Sequence, residues 1–137
     1  MSQYQQQFQQ ANTLLWQKDG SEPPDAEMMA FLAGDDVVLD RQLFLYDVEA
    51  TKAHIGGLGR ITVLTSDEVD SLRLCLDDLA QRYQRGEYIL DVSFEDSHSA
   101  IEAFVTQQLG EVGQKFHTGR SRNDQVLVAT RLYLKQQ

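Results

Sequence analysis

The sequence has one cysteine and two prolines in 137 residues, and it has no long apolar run. A single cysteine, Cys75, excludes an intrachain disulfide and a cluster of metal-binding thiolates. Cys75 shares a helical spacing with Leu72, Leu76 and Leu79, which predicts a buried structural thiol rather than a nucleophile. No stretch approaches the ~20 apolar residues that cross a bilayer, and no charged-then-apolar secretion signal begins the chain. We therefore expect a cytoplasmic protein without a membrane partner.

Basic residues are also scarce, because 12 of them stand against 21 acidic residues and give a formal net charge of -9. This balance argues against a general nucleic-acid binder. Lys115, Arg120 and Arg122 nevertheless fall within eight residues, which favours a local anion site. The alternative from charge alone is a solvated loop whose arginines pair with nearby carboxylates. The three histidines show no paired helical spacing typical of metal ligands, so no metal is expected.

The first part of the chain is rich in glutamine, and residues 1–13 predict a disordered tail, with a partner-binding arm as the alternative. Two prolines then precede a short helix expected over 25–32. A second helix is predicted over 36–55, and Gly56 with Gly57 is expected to end it.

Three further helices are predicted downstream. The capping-box pattern Thr65–Glu68 begins one helix, and Gly86 ends it. Another opens near 96–99, with Ser99 and Glu102 as its expected capping box, and it breaks at Gly110 and Gly113. The last is expected to start at residue 123 or 124, with Asn123 as its N-cap, and to continue to the final residue of the sequence. Because the sequence shows no alternation of strand and helix patterns, we predict an all-α fold.

The segment before this last helix has the densest polar chemistry of the sequence. Thr118, Arg120, Ser121 and Arg122 precede a predicted helix start, where backbone amides carry partial positive charge. Cations and hydroxyls beside such an end suit a carboxylate or a phosphate. Asn123 is compatible with both a capping and a ligand role, because its side-chain oxygen can cap while its amide nitrogen donates.

This segment, Thr118–Gln125, resembles the first signature segment of argininosuccinate lyases, which belong to the fumarase and aspartase superfamily. The resemblance covers roughly residues 14–137, and it extends to Glu95–Phe104, Leu109–Gly113 and, more weakly, Asp40–Leu43, Tyr46–Val48 and Ala53-His54. It implies an N-terminal helical domain over 14–117, followed by the signature loop and the start of a central bundle helix over 118–137.

The resemblance also implies a reaction. Members of the family remove a proton next to a carboxylate and release fumarate, here with arginine as the leaving group in arginine biosynthesis. The carbanion spreads its charge onto the carboxylate, so such a site needs fixed donors rather than a protein nucleophile. No cofactor is implied. Family members are homotetramers with active sites assembled from several subunits, and the expected ligand is argininosuccinate or its products.

Site residues follow from the same resemblance. Ser121, Arg122 and Asn123 are expected to contact the succinate portion of the substrate, and Thr118 and Arg120 to support them. Asp96 and His98 stand in the family's other N-terminal site segment and are also expected to bind substrate. The family's catalytic serine and histidine belong to later segments that are absent here, so no catalytic residue is assigned and the chain alone is expected to be inactive.

Two departures qualify the resemblance. Asp36 occupies a position where the family usually has a serine that contacts substrate, and an acidic residue there would repel a carboxylate. Residues 16–19 replace the family's tryptophan-glycine-glycine-arginine opening, so no substrate contact is expected from them.

Three alternatives to this function remain open from the sequence. A sister lyase acting on adenylosuccinate is the nearest enzyme. A crystallin-like structural protein could keep the fold without catalysis. A small regulatory module could use the arginine loop to bind fumarate or phosphate by itself.

Overall fold

A computed structural model describes residues 25, 27–28, 31, 35–90, 94 and 96–137 of the chain. Within these residues the regular elements are α-helices, and the predicted all-α fold is confirmed. The helices are α1 Asp36–Asp40, α2 Phe44–Arg60, α3 Ser66–Gln84, α4 Ser97–Leu109, α5 Glu111–Lys115 and α6 Arg122–Gln136. None of them is long and apolar enough to span a bilayer. The predicted glutamine-rich tail and residues 16–19 lie outside the described part.

The short helix predicted over 25–32 is helical at Glu27, Met28 and Phe31, where it is described. The helix predicted over 36–55 is instead two helices, α1 and α2, separated by a turn over 41–43. The side chain of Asp36, which departs from the family pattern, is outside the described part, so its expected effect on substrate stays a prediction.

The glycines at 56 and 57 do not end α2, and this part of the prediction is wrong. The helix continues to Arg60, and the chain turns at Thr62, which has φ of 61°. Gly56 and Gly59 lie where α2 crosses α3, because a Cβ on Gly56 would stand 2.7 Å from the Arg73 guanidinium and one on Gly59 would stand 2.8 Å from Val69. These glycines therefore allow close packing of two helices rather than a helix end.

The helix α3 begins and ends as predicted. The hydroxyl of Thr65 accepts a hydrogen bond from the Glu68 amide, and the Glu68 carboxylate accepts one from the Thr65 amide, which completes the capping box. After α3 the chain reverses at Gly86, whose φ is 73°. The Glu68 carboxylate also receives the ammonium of Lys115 at 2.6 Å, so this cap ties α3 to α5.

The helix α4 begins within the predicted range of 96–99, but its capping residues differ from the prediction. Asp96 is the N-cap and accepts from the Ser99 amide at 2.8 Å, whereas Ser99 and Glu102 lie inside the helix. Gly110 does end α4, with φ of 58°, but Gly113 lies within α5. A Cβ on Gly113 would stand 2.7 Å from Val105 and Thr106 backbone atoms, so this glycine allows α5 to fold back against α4.

The core lies between α2, α3 and α4. Phe44 is fully buried and stacks on Tyr83 and Tyr88, with ring centroids 4.3 and 5.8 Å away. The leucines of α3 that share a face with Cys75 are all fully buried. Cys75 itself is only half-buried rather than buried as predicted, and burial raises the pKa of its thiol to about 11, which disfavours the nucleophilic thiolate.

Candidate functional site

The signature loop, residues 116–121, connects α5 to α6 and is fixed at several points. Phe116 is buried in the core, and the Thr118 hydroxyl donates to the Lys115 carbonyl at 2.6 Å. The Thr118 carbonyl lies 3.0 Å from Nε2 of His54 on α2. Gly119 has φ of 70°, a conformation that side-chain-bearing residues rarely adopt, and reverses the chain before α6. The predicted site residue Thr118 therefore has a structural hydrogen bond within this loop.

The N-cap of α6 is Ser121, not Asn123. The Ser121 hydroxyl accepts from the Asp124 amide, the Asp124 carboxylate accepts from the Ser121 amide at 2.9 Å, and the helix begins at Arg122. Ser121 wins this position because an aspartate three residues later completes a capping box. Asn123 lies exposed on the first turn, with its side chain not needed for the cap.

Arg122 joins the two predicted site segments. Its Nη1 donates to Oδ2 of Asp96 at 2.9 Å, and its Nη2 donates to the Ser99 hydroxyl at 3.1 Å. The Arg122 side chain is nevertheless 46% exposed. Glu102 lies nearby, and burial raises its pKa although the Arg122 charge opposes this shift. Residues 26 positions apart in the sequence thus meet on one surface of the molecule.

The N-terminus of α4 is held by three aspartates from three parts of the chain. Asp40 accepts from the Ser97 amide at 2.9 Å, and Asp96 accepts from the Ser99 amide. Asp47 of α2 accepts from the Ser97 hydroxyl at 3.3 Å. Carboxylates are favoured at this end of a helix because its first amides lack intrahelical partners.

His98 lies in the middle of these aspartates. Its Nδ1 hydrogen-bonds to Oδ2 of Asp47, and the His98 and Asp47 side chains are 7% and 0% exposed. Burial disfavours the imidazolium, but the hydrogen bond and the negative charges of Asp47, Asp96 and Asp40 outweigh burial and raise the pKa of His98. His98 is therefore a buried base that holds its proton more strongly than an exposed histidine.

Arg120 points inward rather than toward solvent. Its Nη2 donates to the Thr51 hydroxyl on α2 at 3.2 Å, and its Nε is buried without a hydrogen-bond partner among the described residues. Burial lowers the pKa of Arg120, while Asp47 opposes this shift. An arginine stays charged even so. Arg120 thus places a half-buried cation near Asp47.

A recess of about 330 Å³ lies beside Arg120, between α2 and α6. Its lining includes His54, Gly119, Asp124 and Gln125. Gln125 is 2% exposed, and its Oε1 has no hydrogen-bond partner among the described residues. Burial and then the Arg120 charge lower the pKa of His54, which favours its neutral ring.

The structure brings Arg122 into contact with Asp96, and the seven predicted site residues lie at different depths. Asp96, Ser121, Arg122 and Asn123 lie toward the surface, whereas His98 is buried. Their roles in binding stay predictions. The chemistry of the surface residues, a half-exposed arginine with adjacent hydroxyl and amide groups, suits a small carboxylate. Within the described residues no group of three or more His, Cys, Asp or Glu side chains could hold a metal ion.

The sequence analysis did not identify Asp47 and Thr51, the two α2 residues that hydrogen-bond to the predicted site residues His98 and Arg120. They lie one turn apart and are both fully buried. A signal for them existed, because both share the helical face of Phe44, Val48 and other apolar residues of α2. A carboxylate on an apolar face requires a buried partner.

Comparisons with known proteins agree with the resemblance. A protein-family model described as a lyase matches residues 23–137. A Stenotrophomonas maltophilia protein named argininosuccinate lyase is 56% identical over 123 residues, which are 90% of this chain and 28% of the relative. A Xanthomonas oryzae pv. oryzae protein of the same name is 57% identical over 122 residues, 89% of this chain and 28% of the relative. The chain thus spans little more than a quarter of the length of these relatives, and it belongs to the lyase family.

Proposed function

We propose that this chain is the N-terminal part of an argininosuccinate lyase, which splits argininosuccinate into fumarate and arginine in the cytoplasm as a step of arginine biosynthesis. The observation that carries the proposal is the Arg122–Asp96 contact of 2.9 Å, which joins the two segments that resemble the family's N-terminal site. The relatives' shared name and the identity of 55–57% support the same conclusion.

In this proposal the chain supplies the electrostatic half of the site. Arg122, Asn123 and Ser121 donate to the carboxylates of the succinate portion, and Thr118 and Arg120 fix the loop that carries them. Donors held in place before the reaction stabilise the charge that develops on the carboxylate. The proton-transfer groups come from segments outside this chain, in a homotetramer whose subunits share each site, so the chain alone does not turn over substrate.

A segment exchange tests this function. The exchanged enzyme is the S. maltophilia relative in which the matched 123-residue segment is replaced by the corresponding residues of this chain. We expect it to assemble and to release fumarate from argininosuccinate, followed by the ultraviolet absorbance of fumarate. An assembled exchanged enzyme without turnover would instead support the crystallin-like alternative. Turnover of adenylosuccinate but not argininosuccinate would identify the sister lyase.

Matched arginine variants locate the site within the exchanged enzyme. Arg122→Gln removes the half-exposed cation, and we expect a loss of about 10²-fold in kcat/KM, as for other oriented transition-state donors. Arg85→Gln is the control, since Arg85 is an exposed arginine at the end of α3. Equal losses in the two variants would contradict the role of Arg122.

Calorimetric titration of the chain itself separates the remaining alternative. A regulatory anion module binds fumarate or phosphate without other segments, whereas an incomplete lyase site has only part of its donors. We expect no saturable binding by the chain at millimolar fumarate. Tight binding with one ligand per chain would favour the regulatory module.

A further inference from the structure

We propose that Asp47 is a positioning residue for His98: its buried carboxylate fixes the imidazole with Nδ1 protonated, so that Nε2 is the ring atom left to meet the carboxylate of a bound ligand. The protonation of the ring is a property of this chain alone. Its consequence for turnover rests on the proposed function.

The tautomer follows from hydrogen-bond chemistry. An ionised carboxylate only accepts hydrogen bonds, so the ring nitrogen that contacts Oδ2 of Asp47 must carry the proton. Nδ1 is therefore the N–H nitrogen in both the neutral ring and the cation. Among the described residues Nε2 has no hydrogen-bond partner, although His98 as a whole is only 6% exposed. The neutral ring presents an acceptor at Nε2, and the cation presents a donor there.

The charges around the ring favour the cation. Asp47 faces it from α2, Asp40 from the end of α1 and Asp96 from the cap of α4. The cations nearby are Arg120, whose charge interacts with Asp47, and Arg122, which pairs with Asp96; His117 lies close enough for the His98 charge to lower its pKa. A protonated Nε2 is the form that would bind a dicarboxylate, as a charge-assisted donor.

Asp47 is suited to this task because its Oδ2 is held by two hydrogen bonds, although its buried Oδ1 has no partner among the described residues. It is fully buried within α2, and the Ser97 hydroxyl donates to the same Oδ2 that contacts His98. Arg120, anchored one turn further along α2 at Thr51, balances part of its charge. A buried carboxylate is strongly unfavourable unless it is paired in this way. Its carboxylate is thus fixed before any ligand arrives.

The test is a nitrogen-detected NMR titration of the histidine rings in the 137-residue chain. In the native sequence we expect Nδ1 of His98 to be protonated and the His98 pKa to lie above 6.5, the ordinary value. In Asp47→Asn we expect that pKa to fall, because burial is then opposed only by the charges of Asp96 and Asp40. A fall of one unit reduces the charged fraction about tenfold at pH well above both values.

The control is Asp77→Asn, which removes the same charge from an α3 aspartate that pairs with Lys52. It should leave the His98 resonances in place. If Asp47→Asn does not fold, Ser97→Ala decides the question, because it removes the competing donor to Oδ2 and should raise the His98 pKa further. An unshifted His98 in the variant that folds, or protonation of Nε2 in the neutral native ring, would overturn the proposal.

Kinetics of the exchanged enzyme separate positioning from a purely structural role. Asp47→Asn should lower kcat/KM and move its alkaline limb to lower pH, following the His98 pKa. A loss of activity without a change in the pH profile would mean that Asp47 only stabilises the fold. If the exchanged enzyme with the native residues is inactive, the proposed function fails, while the NMR titration still decides the role of Asp47.

Discussion

Replacement of Gly113 by alanine should destabilise the chain, whereas the same replacement at Gly57 should stabilise it. Both glycines lie inside helices, so alanine gains about 1 kcal/mol of helix propensity at either position. At Gly57 the new Cβ would have only the end of the Arg60 side chain within 4 Å, at 3.9 Å. At Gly113 it would stand 2.7 Å from the Val105 carbonyl oxygen and the Thr106 Cα.

The cost at Gly113 follows from this distance. The obstructing atoms belong to the backbone of α4, so α5 and α4 must separate by roughly 0.7 Å to reach an ordinary contact of 3.4 Å. Overpacking of this kind costs about 1–3 kcal/mol, which exceeds the gain in propensity. The gain in propensity is the same at both positions, so we expect the two variants to differ by the overpacking cost, about 1–3 kcal/mol in the free energy of unfolding. Urea denaturation with unchanged slopes measures this difference.

Substitution by asparagine distinguishes a glycine required by steric crowding from one required by a positive φ. Gly86 has φ of 73°, and a Cβ added there would meet no atom within 4 Å, so its cost on substitution is backbone strain. Because asparagine tolerates this conformation, Gly86→Asn should be milder than Gly86→Ala, whereas Gly113→Asn should be at least as harmful as Gly113→Ala. Equal urea midpoints for the alanine variants of Gly113 and Gly57 would refute the reasoning.

Two further predictions concern pH and capping. The raised pKa of His98 contributes stability that is fully present below pH 6.5 and is lost as the pH rises through the pKa of the folded state. The lowered pKa values of His54 and His117 have the opposite effect: their contribution is present above pH 6.5 and is lost as the pH falls through their folded-state pKa values. The urea midpoint should therefore decrease as the pH rises above 6.5. His98→Gln should remove this alkaline decrease but not the decrease at acid pH. An alkaline decrease that is unchanged in His98→Gln would contradict its attribution to His98. Ser121→Ala should lower the free energy of unfolding by about 1 kcal/mol in the same assay, because Ser121 is the N-cap of α6. Asn123→Ala should lower it much less. A larger loss in Asn123→Ala would mean that Asn123 is the N-cap.

Local patterns in the sequence predicted the elements whose signals are complete within a few residues. The capping box at Thr65, the stop at Gly86 and the start of α4 near Asp96 are of this kind. At the start of α6 two good capping residues compete, and the aspartate three residues after Ser121 decides between them. That interaction could have been found from the sequence.

The remaining differences depend on contacts between distant segments. Gly56 and Gly113 indicate a helix end when read locally, but they serve packing against Arg73 and against the α4 backbone. The site was predicted through its signature segments, whereas its supporting residue Asp47 was not. Its partner His98 is 51 positions away, and no local pattern specifies such a pairing.

Three sides of the helix α2 contact or border other parts of the protein. Seven of its 17 residues are buried: Phe44, Asp47, Val48, Ala50, Thr51, Ile55 and Leu58. One side meets α3 through its glycines, another carries the polar pair under the loop, and a third borders the recess toward α6. Diversity in a library of this protein is therefore best confined on α2 to Glu49 and Arg60, which face solvent.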